Sequence, residues 1–183
     1  MDSLSAKLLV ASPRLTDPNF GRSVVLVIHH ASDGAFGLVL NRPGPERLPA
    51  VWEQALQEPC RLDLPLYVGG PVEGPVVALH GDPRFSEEEV LPGLHFTRQR
   101  DHLLALVAEG GEALRVFAGY SGWGPGQLEG ELARGDWGVV EATTLDVFGD
   151  DTTLWTGVSR RAADAALVRT IGVKHVPPRP WHN

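Results

Sequence analysis

The stretch from Phe117 to Leu132, FAGYSGWGPGQLEGEL, constrains this chain more than any other part. Leu114, Val116 and Ala118 alternate with Arg115 and Phe117, which predicts a mostly buried strand running to Tyr120. Glycines 119, 122, 124 and 126 then punctuate a turn, and glycine lets a second backbone or a ligand come close. Pro125 suits the first position of a helix, where its missing N–H costs nothing. Leu128 and Leu132 share one helical face, Gln127 and Glu131 another, and Gly135 is a natural stop. Asp136 to Val140 reads as the next strand.

A glycine turn feeding a helix can hold an anion on free backbone N–H groups, or it can simply permit a tight corner. The corner is the simpler reading. No Gly-Lys-Ser/Thr follows, so the phosphate-loop pattern is absent. Gly122 and Gly124 begin a dinucleotide fingerprint, but Gln127 stands where its third glycine or alanine belongs. Ser121 sits between strand and helix as a nucleophile elbow would, yet Trp123 takes the place of that motif's last glycine and would crowd the turn.

The 183 residues carry a net charge of −7, which disfavours broad binding to a phosphate backbone. Residues 152–183 run the other way: Arg160, Arg161, Arg169, Lys174 and Arg179 face a single anion, Asp164. A basic segment on an acidic body docks most simply on that body. Cys60 is the sole cysteine, so no internal disulfide forms, and a reducing cytoplasm is the expected location. Cys60 itself reads as an ordinary half-buried thiol. The residues Met1 to Ala6 lack the basic and apolar regions of a signal peptide, and no apolar run approaches a membrane span.

Along the chain, Leu8 to Ala11 is a short apolar segment, and Ser23 to His29 is a continuous apolar run of the kind buried on both faces. Asp33-Gly34 predicts a hairpin returning through Phe36 to Leu40. Asn41 to Pro45 reads as a loop, and Val51 to Leu56 as a short amphipathic helix. Leu66 to Val68 and Val76 to His80 read as strands flanking Gly69-Gly70-Pro71. Ser86 to Glu89 has capping-box spacing, with Pro92 limiting any helix there to a turn. Gln99 to Glu109 predicts a helix stopped by Gly110-Gly111. Thr152 or Thr153 would cap a last helix ending at Gly172, before a proline-rich tail over residues 174–183. With no internal repeat and no long linker, residues 1–183 are expected to form one mixed α+β domain.

Seven histidines invite a metal hypothesis, but none are spaced as a pre-formed ligand pair. His29 and His30 point to opposite faces of a strand, and a site joining His30 to His80 would have to be assembled by the fold. Glu87-Glu88-Glu89 and Asp150-Asp151 read as solvated surface or helix N-termini. Trp52, Trp137 and Trp155 read as core; Trp123 is expected to be half exposed on the glycine turn.

Four blocks together resemble the AlgH/YqgE family of bacterial proteins. They are Leu8 to Pro13 with Asp17 to Phe20 and Arg22 to Val25; His30 with Gly34 to Pro43; Gly69 to Val72; and Gly119 to Glu129 with Glu131 and Trp137. The resemblance spans the chain, is weakest over 159–183, and at Leu154-Trp155 and the Asn183 ending is similar to actinobacterial versions. It implies a split, mostly antiparallel β-sheet folded into a pseudo-barrel with helices packed around it. It implies no established enzymatic activity, no cofactor and no metal; some relatives are labelled transcriptional regulators without a DNA-binding motif. Family members often carry alanine where Ser121 stands, which counts against a nucleophile.

These readings favour a cytoplasmic, non-enzymatic binding or regulatory protein. Its partner is a protein or small molecule that the sequence does not name, and neither nucleic acid nor membrane is favoured. The expected groove comprises Asn41, Gly70, Gly122, Trp123, Gly126, Gln127 and Glu129. The alternative is a hydrolase or metal-assisted enzyme using Ser121 or the histidines.

Overall fold

The computed structural model describes residues 3–60, 62–111 and 113–171; the tail over 174–183 and the expected helix stop at Gly172 lie outside them. The apolar run becomes β2 (Val24–Ala31), which pairs on one side with β1 (Lys7–Ala11) and on the other with β3 (Gly34–Val39). β2 and β3 form the expected hairpin, with Ala31 opposite Gly34 and Ser32-Asp33 as the two-residue turn. β11 (Trp137–Glu141) closes one edge of this first sheet and β10 (Ser121–Trp123) the other, giving the all-antiparallel order β10-β3-β2-β1-β11.

The second sheet runs β4 (Pro43–Arg47), β5 (Pro65–Val68), β9 (Leu114–Ala118), β6 (Val77–His80), β8 (Leu94–Thr97), β7 (Glu88–Leu91). Its single parallel pair is β5 with β9. The inner faces of both sheets share one core, in which Leu8, Leu26, Leu38, Leu79 and Phe117 are fully buried. The outer face of the first sheet is covered by α3 (Gln127–Arg134), through Leu128, with Trp123 and Trp137. The outer face of the second is covered by α1 (Leu48–Leu56) and α2 (Arg100–Glu109), through Leu48, Trp52, Leu103 and Leu106. α4 (Thr144–Phe148) and α5 (Asp151–Ile171) pack at the end of the shared core, with Val147 and Val158 buried in it. This is the expected mixed α+β fold: two sheets with helices packed on them, left open rather than closed into a barrel.

Several local expectations are corrected. Residues 86–89 form no helical turn; Glu88–Leu91 is the edge strand β7, paired with β8 through Glu88 opposite Phe96. The carboxylate of Glu87 receives the hydroxyl of Thr97 at 2.9 Å and the N–H groups of Arg98 and Gln99, so it secures the entry to α2 rather than decorating solvent. Of the expected loop Asn41 to Pro45, the last three residues belong instead to β4, which pairs with β5. Pro125 lies before the cap of α3, which is Gly126. The cap of α5 is Asp150, whose carboxylate accepts the N–H of Thr152 at 3.0 Å, not Thr152 or Thr153. α4, unforeseen, begins at a capping box in which Thr143 and Asp146 exchange hydrogen bonds.

Candidate functional site

The glycine corner is where the chain passes from one sheet to the other. β9 belongs to the second sheet; three residues later β10 pairs with β3 of the first. The crossing is held by Gly69, whose N–H donates to Ala118 O at 2.9 Å and whose carbonyl accepts Val39 N–H at 2.8 Å. Beyond it, Val72 and Tyr120 exchange backbone hydrogen bonds, both at 3.0 Å. Gly70 lies so close to the other strand that a Cβ there would stand 2.3 Å from the carbonyl carbon and oxygen of Tyr120. Close backbone approach is therefore the physical demand behind the glycines.

Ser121 is completely buried, and its hydroxyl donates to Gly69 O at 3.1 Å. It is a seam residue, out of reach of any substrate and without an adjacent base. Trp123, expected half exposed, is 5% exposed. Its ring stacks near Phe20 with centroids 6.0 Å apart, and its indole N–H donates to Glu131 Oε2 at 2.8 Å. The burial follows from β10: once Ser121–Trp123 pair with β3, alternation turns Trp123 onto the face covered by α3.

The remaining residues of the expected groove do not converge on one hollow. Asn41 ties β2 to the end of β3: its Oδ1 accepts Val24 N–H and its Nδ2 donates to Arg22 O, both at 2.9 Å. Gly126 caps α3 at φ 73°, a left-handed conformation that favours glycine. Gln127 bridges the corner, accepting Gly124 N–H at 3.1 Å and donating to Glu131 Oε1 at 3.0 Å. Gly122 is exposed and lies against the ring of Tyr120.

Glu129 sits in the first turn of α3, where a carboxylate complements the free N–H groups of the helix end. It faces His30, whose Nε2 lies 3.0 Å from Glu129 Oε1. The Leu4 N–H donates to His30 Nδ1 at 3.1 Å, so Nδ1 is the acceptor and Nε2 carries the proton given to Glu129. Backbone N–H bonding in the helix turn, opposed by burial and assisted by His30, holds the Glu129 carboxyl below the usual range. This pair resembles a carboxylate–histidine dyad, but both ring nitrogens are engaged, and no free basic nitrogen remains for proton transfer.

The metal hypothesis rests on histidines that the fold keeps apart or engages otherwise. Among the described residues no group of three His, Cys, Asp or Glu side chains could hold an ion. His80 is paired with His95 across β6 and β8, with ring centroids 5.8 Å apart, and is fully buried beneath the second sheet's helices. His29 and His30 do point to opposite faces as expected: the former is exposed, the latter buried against Glu129.

A hollow does open beside the central stretch, on the other side of the corner. A cleft of about 620 Å³ lies between the two sheets where they splay, walled by Gly119 and Tyr120. Buried Ile28, Val77 and Phe96 and half-buried Phe36 supply its apolar surface. Phe36 packs edge-on to Phe96 at 5.8 Å and tilted to Tyr120 at 5.2 Å between ring centroids. His29, Glu87, Glu88 and Arg98 supply the polar rim. Sequence reasoning missed this cleft because its residues come from β2, β3, β6, β7 and β8, and no local pattern joins them.

Fold and site together define an α+β protein whose glycine corner is closely packed and beside which an inter-sheet cleft opens. The chain belongs to the AlgH-like family, whose model matches residues 8–165. It is 42% identical over 174 residues to a UPF0301 protein of Myxococcus xanthus, with 92% of this chain and 96% of the other covered. A UPF0301 protein of Streptomyces coelicolor is 40% identical over 186 residues, with 93% of each covered. Among solved structures, the AlgH protein of Pseudomonas aeruginosa superposes with a TM-score of 0.71 at 29% identity, covering 97% of this chain and 96% of that one. A Corynebacterium diphtheriae protein superposes at 0.69 with 27% identity and 88% of each chain covered. Among the described residues no helix is long and apolar enough to cross a membrane.

Proposed function

We propose that this protein is a non-enzymatic binding protein that captures a small molecule with an apolar body in the cleft beside Gly119 and Tyr120. The observation that carries this is the half-buried ring of Phe36, held between Phe96 and Tyr120 at the wall of a 620 Å³ hollow with polar groups only at its rim. A concave, mostly apolar surface with a few polar groups at its edge is the usual form of a small-molecule site. The expected groove residues then act one step removed. Gly70 and Gly122 let the corner approach closely enough to set the ring of Tyr120, while Asn41, Trp123, Gly126, Gln127 and Glu129 hold the corner still.

The hydrolytic and metal-assisted alternatives gain nothing from the same geometry, because Ser121 and the His30 ring nitrogens are already hydrogen-bonded inside the protein. A nucleic-acid role through the basic C-terminal residues gains little: Arg161 donates to Asp146 Oδ1 at 2.6 Å and to the Glu141 carbonyl. With one cysteine in the chain, we assign the protein to a reducing cytoplasm. Titration with indole, followed by backbone amide NMR, tests the cleft. Shifts should concentrate at Ile28, Phe36, Val77, Phe96 and Tyr120; saturation without shifts at these residues would remove the assignment.

A further inference from the structure

We propose that the ligand of this cleft is an organic cation, an ammonium group carried on an apolar body. This rests on the binding reading above and adds the sign of the ligand's charge. Two independent features agree on that sign. The first is aromatic: at the wall Phe36 has the rings of Phe96 and Tyr120 each within 6 Å of its own, and ring faces attract cations and not anions.

The second is the charge left over at the rim. Arg98 Nε stands 3.8 Å from Glu87 Oε1, so the positive charge there is balanced locally. His29 Nε2 lies 3.6 Å from Asp33 Oδ1, outside the cleft lining. Glu88 remains, exposed on the edge strand β7 and lining the cleft, with no cationic partner among the described residues. Burial would push the Glu87 carboxyl up, but donation from the Arg98 N–H, the Thr97 hydroxyl and the Gln99 N–H overcomes it and holds the group below the usual range. These three donors converge on Oε2, while Oε1 faces Arg98, so Glu87 is held in place by its own neighbours and Glu88 is the carboxylate left for a ligand.

The test compares three probes of similar size on the full chain by calorimetric titration: benzylammonium, benzyl alcohol and benzoate. The cation should bind about tenfold more tightly than the alcohol, and benzoate more weakly than either. Glu88→Gln should weaken the cation by about threefold and leave the alcohol unchanged, and Glu88→Lys should weaken it further. Glu88 is exposed, so neither change threatens the fold. If the alcohol binds in the cleft but the cation gains nothing over it, or benzoate binds best, the cation proposal is wrong and the cleft stands. If the alcohol itself does not bind there, both fall.

Discussion

Glu131 Oε2 accepts two indole N–H groups at once, those of Trp123 and Trp137, each at 2.8 Å. The rings stand nearly perpendicular with centroids 6.2 Å apart, and Phe20 packs against both. One carboxylate on α3 thus fixes a tryptophan from the short strand β10 and another from the edge strand β11. Glu131→Ala leaves two buried donors unsatisfied, and at ~1–3 kcal/mol each the stability should fall by about 2–6 kcal/mol. Glu131→Gln keeps an acceptor oxygen and should recover part of that. Urea melts of both variants, with Trp123→Phe to close a double-mutant cycle, measure the coupling. Additivity in the cycle would show that the shared carboxylate contributes nothing.

The glycines of the corner separate into two kinds, and alanine substitution should tell them apart. At Gly70 a Cβ would meet the Tyr120 carbonyl at 2.3 Å and the Ser121 nitrogen at 2.4 Å, both backbone atoms that cannot swing aside. Gly70→Ala should cost more than about 3 kcal/mol or prevent folding. At Gly126 nothing lies within 4 Å, and only the φ of 73° opposes a side chain. Gly126→Ala should cost about 1 kcal/mol. Equal losses in a thermal unfolding comparison would mean that conformational freedom, and not backbone proximity, is what the corner requires.

Elements whose pattern is local were legible in the residues. Of the apolar run Ser23 to His29, Val24 to Ile28 are buried in β2 as expected while His29 is exposed, and Gly110 and Gly135 stop their helices in left-handed conformations as glycine stops do. What depends on a distant partner was not legible. Ser121–Trp123 is a strand solely because β3 lies beside it, and that pairing is what buries Trp123. Ser86 to Glu89 satisfies a helix-cap spacing, but pairing with Phe96 and His95 draws Glu88 and Glu89 into a sheet edge. The polar residues of the corner could be named from the sequence, but their partners, at separations of 17 for Asn41 and 99 for Glu129, could not. The cleft itself exists between two sheets and has no signature along the chain.

Ser121 should prove replaceable. Its hydroxyl donates to Gly69 O, but that carbonyl also accepts the Val39 N–H at 2.8 Å and keeps a partner when the hydroxyl is gone. Ser121→Ala should therefore cost only about 0.5–1 kcal/mol, with indole binding in the cleft unchanged. A variant of undiminished stability that no longer binds would return chemistry to Ser121 and overturn its assignment to the seam.

His80 should make the protein sensitive to acid. It is fully buried, its Nε2 has no hydrogen-bond partner, and its Nδ1 accepts the Asp82 N–H at 3.3 Å. Burial first, then the neighbouring His95, lower its pKa to about 4, against the opposing pull of Asp82. The unfolded chain takes up a proton near pH 6.5 while the folded chain refuses it until about pH 4, so between these values the unfolded state binds more protons. The contribution of His80 is fully present above pH 6.5 and is lost as pH falls toward 4, amounting to about 3 kcal/mol at the lower end. His80→Leu removes both the titration and the orphaned nitrogen. Urea unfolding at steps from pH 7 to pH 4.5 should show the native protein losing stability more steeply than the variant, so that the difference between them moves in the variant's favour as pH falls. Parallel curves would place the acid sensitivity elsewhere, in groups such as Glu87 that are present in both proteins.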